Sequence, residues 1–202
     1  MTAIRPLLNR KPLLWAVLGI PALPMLWAAL QPDVIFEELL HPSGEWSARL
    51  LILALMLTPL AQLFPRARLV RWLIGRRRAF GVAAFAYAGL HLIVYLLEMQ
   101  SLRDMLAEIG ALGIWTGWVA FALMLPLALT SNDAAVRRLK AGWKRLQRLA
   151  YPAAILTLVH WAFVHDNIIA ALANFAPLIV LQLLRLAKAT RSHHPRPTME
   201  TV

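Results

Sequence analysis

The chain contains no cysteine. That excludes disulfides, iron–sulfur clusters and any thiolate-held iron centre, and it leaves the redox compartment open. Charge is scarce as well: 15% of the 202 residues are Asp, Glu, Lys or Arg, against about a quarter in an ordinary soluble domain. Carboxylates are rarer still, 10 against 21 Lys and Arg. None of the carboxylates falls inside a long apolar block, which speaks against a carboxylate-based proton or ion pathway.

What is there instead is hydrocarbon. Apolar residues make up 60% of the chain, and they fall in six blocks of roughly membrane length, at about 13–30, 47–64, 79–97, 111–130, 149–165 and 168–187. A segment that spans lipid must satisfy its own backbone hydrogen bonds, so these blocks predict an all-α integral membrane bundle of six transmembrane helices. Residues 1–190 form that domain, and 191–202 a polar, disordered cytoplasmic tail. The connections are too short to hold a soluble catalytic or nucleotide-binding domain. The first block is long for a secretory signal and lacks a small-residue cleavage site, so it reads as a retained helix.

A net charge of +11 suggests nucleic acid until its placement is considered. Basic residues cluster at alternate ends of the blocks: Arg5, Arg10 and Lys11; Arg66, Arg68, Arg71, Arg76, Arg77 and Arg78; Arg137, Arg138, Lys140, Lys144, Arg145 and Arg148; Arg185, Lys188, Arg191 and Arg196. Arg49 and Arg103 fall on the other side, with most of the acidic residues. The positive-inside rule then places both termini in the cytoplasm. The partner of this charge is the anionic surface of the lipid bilayer, not nucleic acid.

Punctuation along the chain sharpens the picture. Pro21 and Pro24 predict a kink in the first helix. The acidic stretch 31–46 holds His41-Pro42-Ser43-Gly44, which reads as a loop with a turn or helix-start signal. Residues 98–110 predict a short interfacial helix, Thr130-Ser131-Asn132-Asp133 an N-cap, and 133–148 a basic amphipathic surface helix. Trp15, Trp72, Trp143 and Trp161 fall where interfacial anchors are expected. No internal repeat stands out.

Two histidines carry the chemistry. His91 and His160 lie mid-block in helices that both run outward, each roughly 16–18 Å above the inner end at 1.5 Å per residue. Two neutral imidazoles at one depth suit the two axial positions of a haem iron, a coordination fitted to electron transfer. Polar side chains also bridge helices by hydrogen bonding, and spacing alone does not separate that role from iron ligation. His165 sits about 140° around the helix from His160 and cannot share its site. His41 faces the outer side, where a cap or turn contact competes with a role toward a partner. His193 and His194 are solvated tail residues.

Several motifs together resemble the MsrQ (formerly YedZ) family of haem-binding membrane subunits, within the ferric-reductase-like transmembrane group. They are HPSG at 41–44, LTPL at 57–60, RRAFGVAAFAYAGLHLIVYL at 77–96, and the run from Trp143 through YPAAILTLVHW to Trp161. LTPL alone is unspecific; an arginine pair, a glycine and then a helical histidine is more so. The resemblance covers nearly the whole chain. It implies that His91 and His160 ligate one haem b. It implies electrons passing from a quinol or a cytoplasmic flavin reductase, across the bacterial inner membrane, to a periplasmic MsrP-like molybdenum reductase of methionine sulfoxide. His41 would face that partner. FMN is a second cofactor associated with the family, and Arg77 and Arg78 are candidates for a propionate or phosphate contact, or equally for a positive-inside clamp. Some members carry a histidine where this chain has Gln147, thirteen residues before His160 and roughly 20 Å nearer the inside. Thirteen residues before His91 stands Arg78, so a second bis-histidine haem is not expected.

The competing reading is a small membrane transporter whose intramembrane histidines handle protons or substrate. Against it, no paired broken helices occupy matching halves. A haem-free anchoring subunit is the third reading.

Overall fold

The computed structural model describes residues 11–99, 101–164 and 167–192, and among them the regular elements are all helices. In chain order they are α1 (Lys11–Gly19), α2 (Ala22–Ala29), α3 (Phe36–Leu63), α4 (Arg68–Ile74), α5 (Arg77–Met99), α6 (Leu102–Glu108), α7 (Leu112–Leu129), α8 (Asp133–Leu139), α9 (Ala141–Gln147), α10 (Ala150–Val164) and α11 (Ile168–Ser192). Four of them, α3, α5, α7 and α11, are long and apolar enough to cross a membrane. The α1–α2 pair, bent by 54° at Pro21, makes a fifth if counted as one span. The remaining apolar block, the fifth in chain order, is α10, whose 15 described residues make it shorter than the four long helices. α11 runs on through Ser192, past the expected start of the tail at 191; His165, His193, His194 and the tail from 193 onward lie outside the described residues.

The interior is built from α3, α5, α10 and α11, with α7 packed on α10 and more lightly on α5. Lipid offers no hydrophobic drive to hold helices together, so close approach has to come from small residues. Ala84, Ala153 and Ala171 are fully buried, and the Ser47 hydroxyl reaches across from α3 to donate to the Ala84 carbonyl at 2.9 Å. Large apolar side chains instead cover the outside: Ile155, Phe163, Ile169 and Leu183 are all exposed, as a lipid-facing surface requires. Ala84→Leu should therefore be poorly tolerated. Overpacking of this kind costs about 1–3 kcal/mol, read as earlier thermal unfolding in detergent; an unchanged transition would refute the tight α3–α5 contact.

The local signals fared unevenly. The Asn132 side chain caps α8 by accepting from the Ala135 N–H at 2.8 Å, and Ser101 caps the interfacial helix α6 by accepting from Asp104 at 3.1 Å. The basic stretch 133–148, however, is two short helices rather than one. They break at Lys140, whose φ of +46° lies in the left-handed region that a lysine seldom adopts. The expected loop 31–46 is corrected more sharply. From Phe36 onward it is helix, so His41-Pro42-Ser43-Gly44 lies inside α3. Glu37 and Glu38 favour the helix N-terminus in the first turn, and Pro42 sits inside the helix, where it forgoes the bond to the Glu38 carbonyl. Trp161 is buried in the core, not anchored at an interface.

Candidate cofactor site

Within the bundle the imidazoles of His91, on α5, and His160, on α10, meet with ring centroids 6.0 Å apart and planes 80° apart. Each ring is fixed from behind by a neighbouring helix. The His91 Nδ1–H donates to the Leu40 carbonyl at 3.0 Å, with the Ser43 hydroxyl oxygen 3.2 Å away. The His160 Nδ1–H donates to the Gly113 carbonyl at 2.7 Å. A carbonyl only accepts, so the proton sits on Nδ1 in both rings. In the neutral imidazole that leaves the lone pair on Nε2, the arrangement in which a metal-ligating histidine is held.

Glycine makes these contacts possible. A Cβ on Gly44 would lie 3.1 Å from Cε1 and Nδ1 of His91, and a Cβ on Gly117 would lie 2.6 Å from Nδ1 of His160. Each ring therefore rests on bare helix backbone, tightly at Gly44 and at Gly117 closer than any side chain would permit without a shift.

The two histidines line a cavity of about 500 Å³, within the range of cofactor sites. Ala48, Ala88, Phe121, Met124 and Trp161 form apolar walls, and Glu37, His41, Glu45 and Glu108 stand toward one end. The donor set and its spacing fit a haem. Two opposed imidazole–metal bonds of about 2.0–2.1 Å put ring centres roughly 6 Å apart, close to the separation seen.

The other residues singled out from sequence are placed differently. His41 is on α3 at the rim of this cavity; its Nε2 lies 3.3 Å from Glu45, which also pairs with Arg49 at 2.9 Å. A second cavity of about 410 Å³ holds Arg77, Arg78 and Gln147 together with Lys144, Arg148 and Arg185. Arg77 donates through Nε to the Ala54 carbonyl at 3.1 Å, and Arg78 pairs with Asp133 and lies over the Trp143 ring. Gln147 donates to the Leu127 carbonyl at 3.1 Å. Its amide thus bonds to α7 as His160 does one level away, but it offers no ring nitrogen. Met124 lines both cavities.

Sequence reasoning alone does not place Leu40, Ser43, Gly44, Gly113, Thr116 and Gly117 behind the rings, although Ser43 and Gly44 belong to the HPSG motif. The signal was present in the parallel between LLHPSG at 39–44 and LGIWTG at 112–117. It was hidden because the first was read as a loop.

Comparison with known proteins places the chain in a family. The family model described as ferric reductase like transmembrane component matches residues 43–158. A curated protein of Xanthomonas campestris pv. campestris (strain 8004), the protein-methionine-sulfoxide reductase heme-binding subunit MsrQ, is 36% identical over 182 residues, covering 86% of this chain and 81% of its own. The protein of the same name from Azospira oryzae is 35% identical over 188 residues, covering 87% and 76%. That from Xanthomonas oryzae pv. oryzae (strain MAFF 311018) is 34% identical, covering 84% and 81%. No solved structure matches.

Proposed function

The chain belongs to the MsrQ family of ferric-reductase-like transmembrane proteins, and from that premise we propose that it is a haem b subunit relaying electrons across the bacterial inner membrane to a periplasmic molybdenum reductase of methionine sulfoxide. The observation that carries this reading is the pair His91 and His160, level with each other, 6.0 Å apart, each with Nδ1 engaged behind it. They would be the axial ligands of one haem per chain. A haem held on both faces by imidazole supplies one-electron transfer with little affinity for oxygen. The protein's part is to hold both rings in one tautomer, exclude water with apolar walls and fix the ligand spacing.

Six crossings with both termini inside follow from the charge asymmetry, with α1–α2 as the first and α10 as the fifth. On that topology the first cavity opens toward the periplasm, with His41 and the Glu37–Glu45 segment facing the partner. The second cavity opens toward the cytoplasm. Its five cationic side chains, beside Trp143 and Tyr151, suit a ligand that joins a flat ring to an anionic group. We assign electron uptake to this cavity, from FMN, a flavin reductase or a quinol. If Arg78 and Arg148 hold a flavin phosphate, replacing both by glutamine should weaken FMN binding about tenfold or more, measured by quenching of flavin fluorescence. Unchanged binding would move the flavin elsewhere.

The test of the whole reading is the visible spectrum of detergent-purified protein expressed with sufficient haem. A sharp Soret band, with resolved α and β bands on reduction, is expected. Their absence would return the field to a transporter or an anchoring subunit.

A further inference from the structure

Two distant stretches of the chain build the same turn. In α3 it is Leu39-Leu40-His41-Pro42-Ser43-Gly44, and in α7 it is Leu112-Gly113-Ile114-Trp115-Thr116-Gly117. At the fifth position a buried hydroxyl donates to the carbonyls of the first and second: Ser43 to Leu39 at 2.7 Å and Leu40 at 3.0 Å, Thr116 to Leu112 at 2.6 Å and Gly113 at 2.9 Å. The carbonyl at the second position also accepts a histidine Nδ1–H, from His91 in one copy and His160 in the other. The glycine at the sixth position is where the imidazole rests.

We propose that these are two copies of one histidine-holding turn, in which Ser43 and Thr116 are positioning residues that set how strongly the backbone pulls on each Nδ1 proton. The inference rests on the haem reading above and deepens it. A helical carbonyl has two lone pairs, and its ladder N–H takes part of that capacity. The hydroxyl and the imidazole share the rest. Withdrawing the hydroxyl leaves the carbonyl a better acceptor, strengthens its bond to Nδ1–H and makes the opposite nitrogen a more basic ligand. A more basic axial imidazole favours the oxidised iron and lowers the reduction potential. The two copies differ in one respect. Ser43 Oγ also lies 3.2 Å from the His91 Nδ1, so its loss removes a neighbour of that proton as well as a competitor for the carbonyl. The cleaner effect is at Thr116.

The experiment is an equilibrium redox titration, with haem content, of the full-length protein carrying Thr116→Val, Thr116→Ala or Thr116→Ser. The wild-type spectrum decides first whether the haem reading stands, before any variant is compared. Expected is wild-type haem content with a midpoint shifted downward in Thr116→Val and Thr116→Ala, and a wild-type midpoint in Thr116→Ser. An unchanged or raised midpoint in the first two overturns the proposal. Should those two lose haem, retention by Thr116→Ser supports a positioning hydroxyl, and loss in all three overturns it.

Discussion

Replacing either His91 or His160 with alanine is expected to abolish the low-spin haem spectrum. Removing a hydrogen-bond partner of a metal ligand costs roughly 10–100-fold in metal affinity. Removing the ligand itself should cost more, so haem content should fall by more than about tenfold in each variant. The two losses should not be equivalent to unfolding. Neither histidine belongs to the tightly packed interior formed by Leu55, Leu57, Ala84 and Ala153, so both variants should enter the membrane and run as monodisperse protein in detergent. A wild-type spectrum retained in both variants would refute the ligand assignment.

The second large effect belongs to Gly117. An alanine there would put its Cβ 2.6 Å from the His160 Nδ1, closer than real Cβ contacts allow, and the ring would have to leave its 2.7 Å bond to the Gly113 carbonyl. The strain of overpacking is about 1–3 kcal/mol, equivalent to roughly five- to 150-fold in haem affinity. Gly44→Ala meets the His91 ring at 3.1 Å, where a shift of a few tenths of an ångström suffices. Haem titration of the two variants should therefore rank Gly117→Ala well below Gly44→Ala. Equal, near-wild-type affinities would mean that the rings do not rest on these glycines.

Much of this was written in the sequence as length and charge. The apolar blocks located the long helices because lipid leaves the backbone no other hydrogen-bonded form. Counting residues from the inner helix ends put His91 and His160 at one depth because helix rise is constant, and the rings do meet. Pro21 and Asn132 acted locally and were read correctly for that reason. What was not legible depends on contacts between helices. The HPSG segment carries turn-forming residues, but Ser43 turns its hydroxyl onto its own helix and Gly44 gives way to His91, so the signal for a loop is a helix shaped to receive a ring. Thr116 and Gly117 looked like ordinary residues of an apolar helix until the His160 ring was placed against them. The break at Lys140 has no glycine to announce it. Gln147 was recognised as a missing imidazole, yet its bond to the Leu127 carbonyl could not be read without α7 beside it.

Two cavities share Met124 in their lining, and the pair of imidazoles sits in one of them alone. Haem content per chain, measured on purified protein beside the His91→Ala/His160→Ala double variant, bears on this most directly. The arrangement predicts one haem per wild-type chain and none in the double variant. Two haems per chain, or one that survives the loss of both histidines, would contradict it.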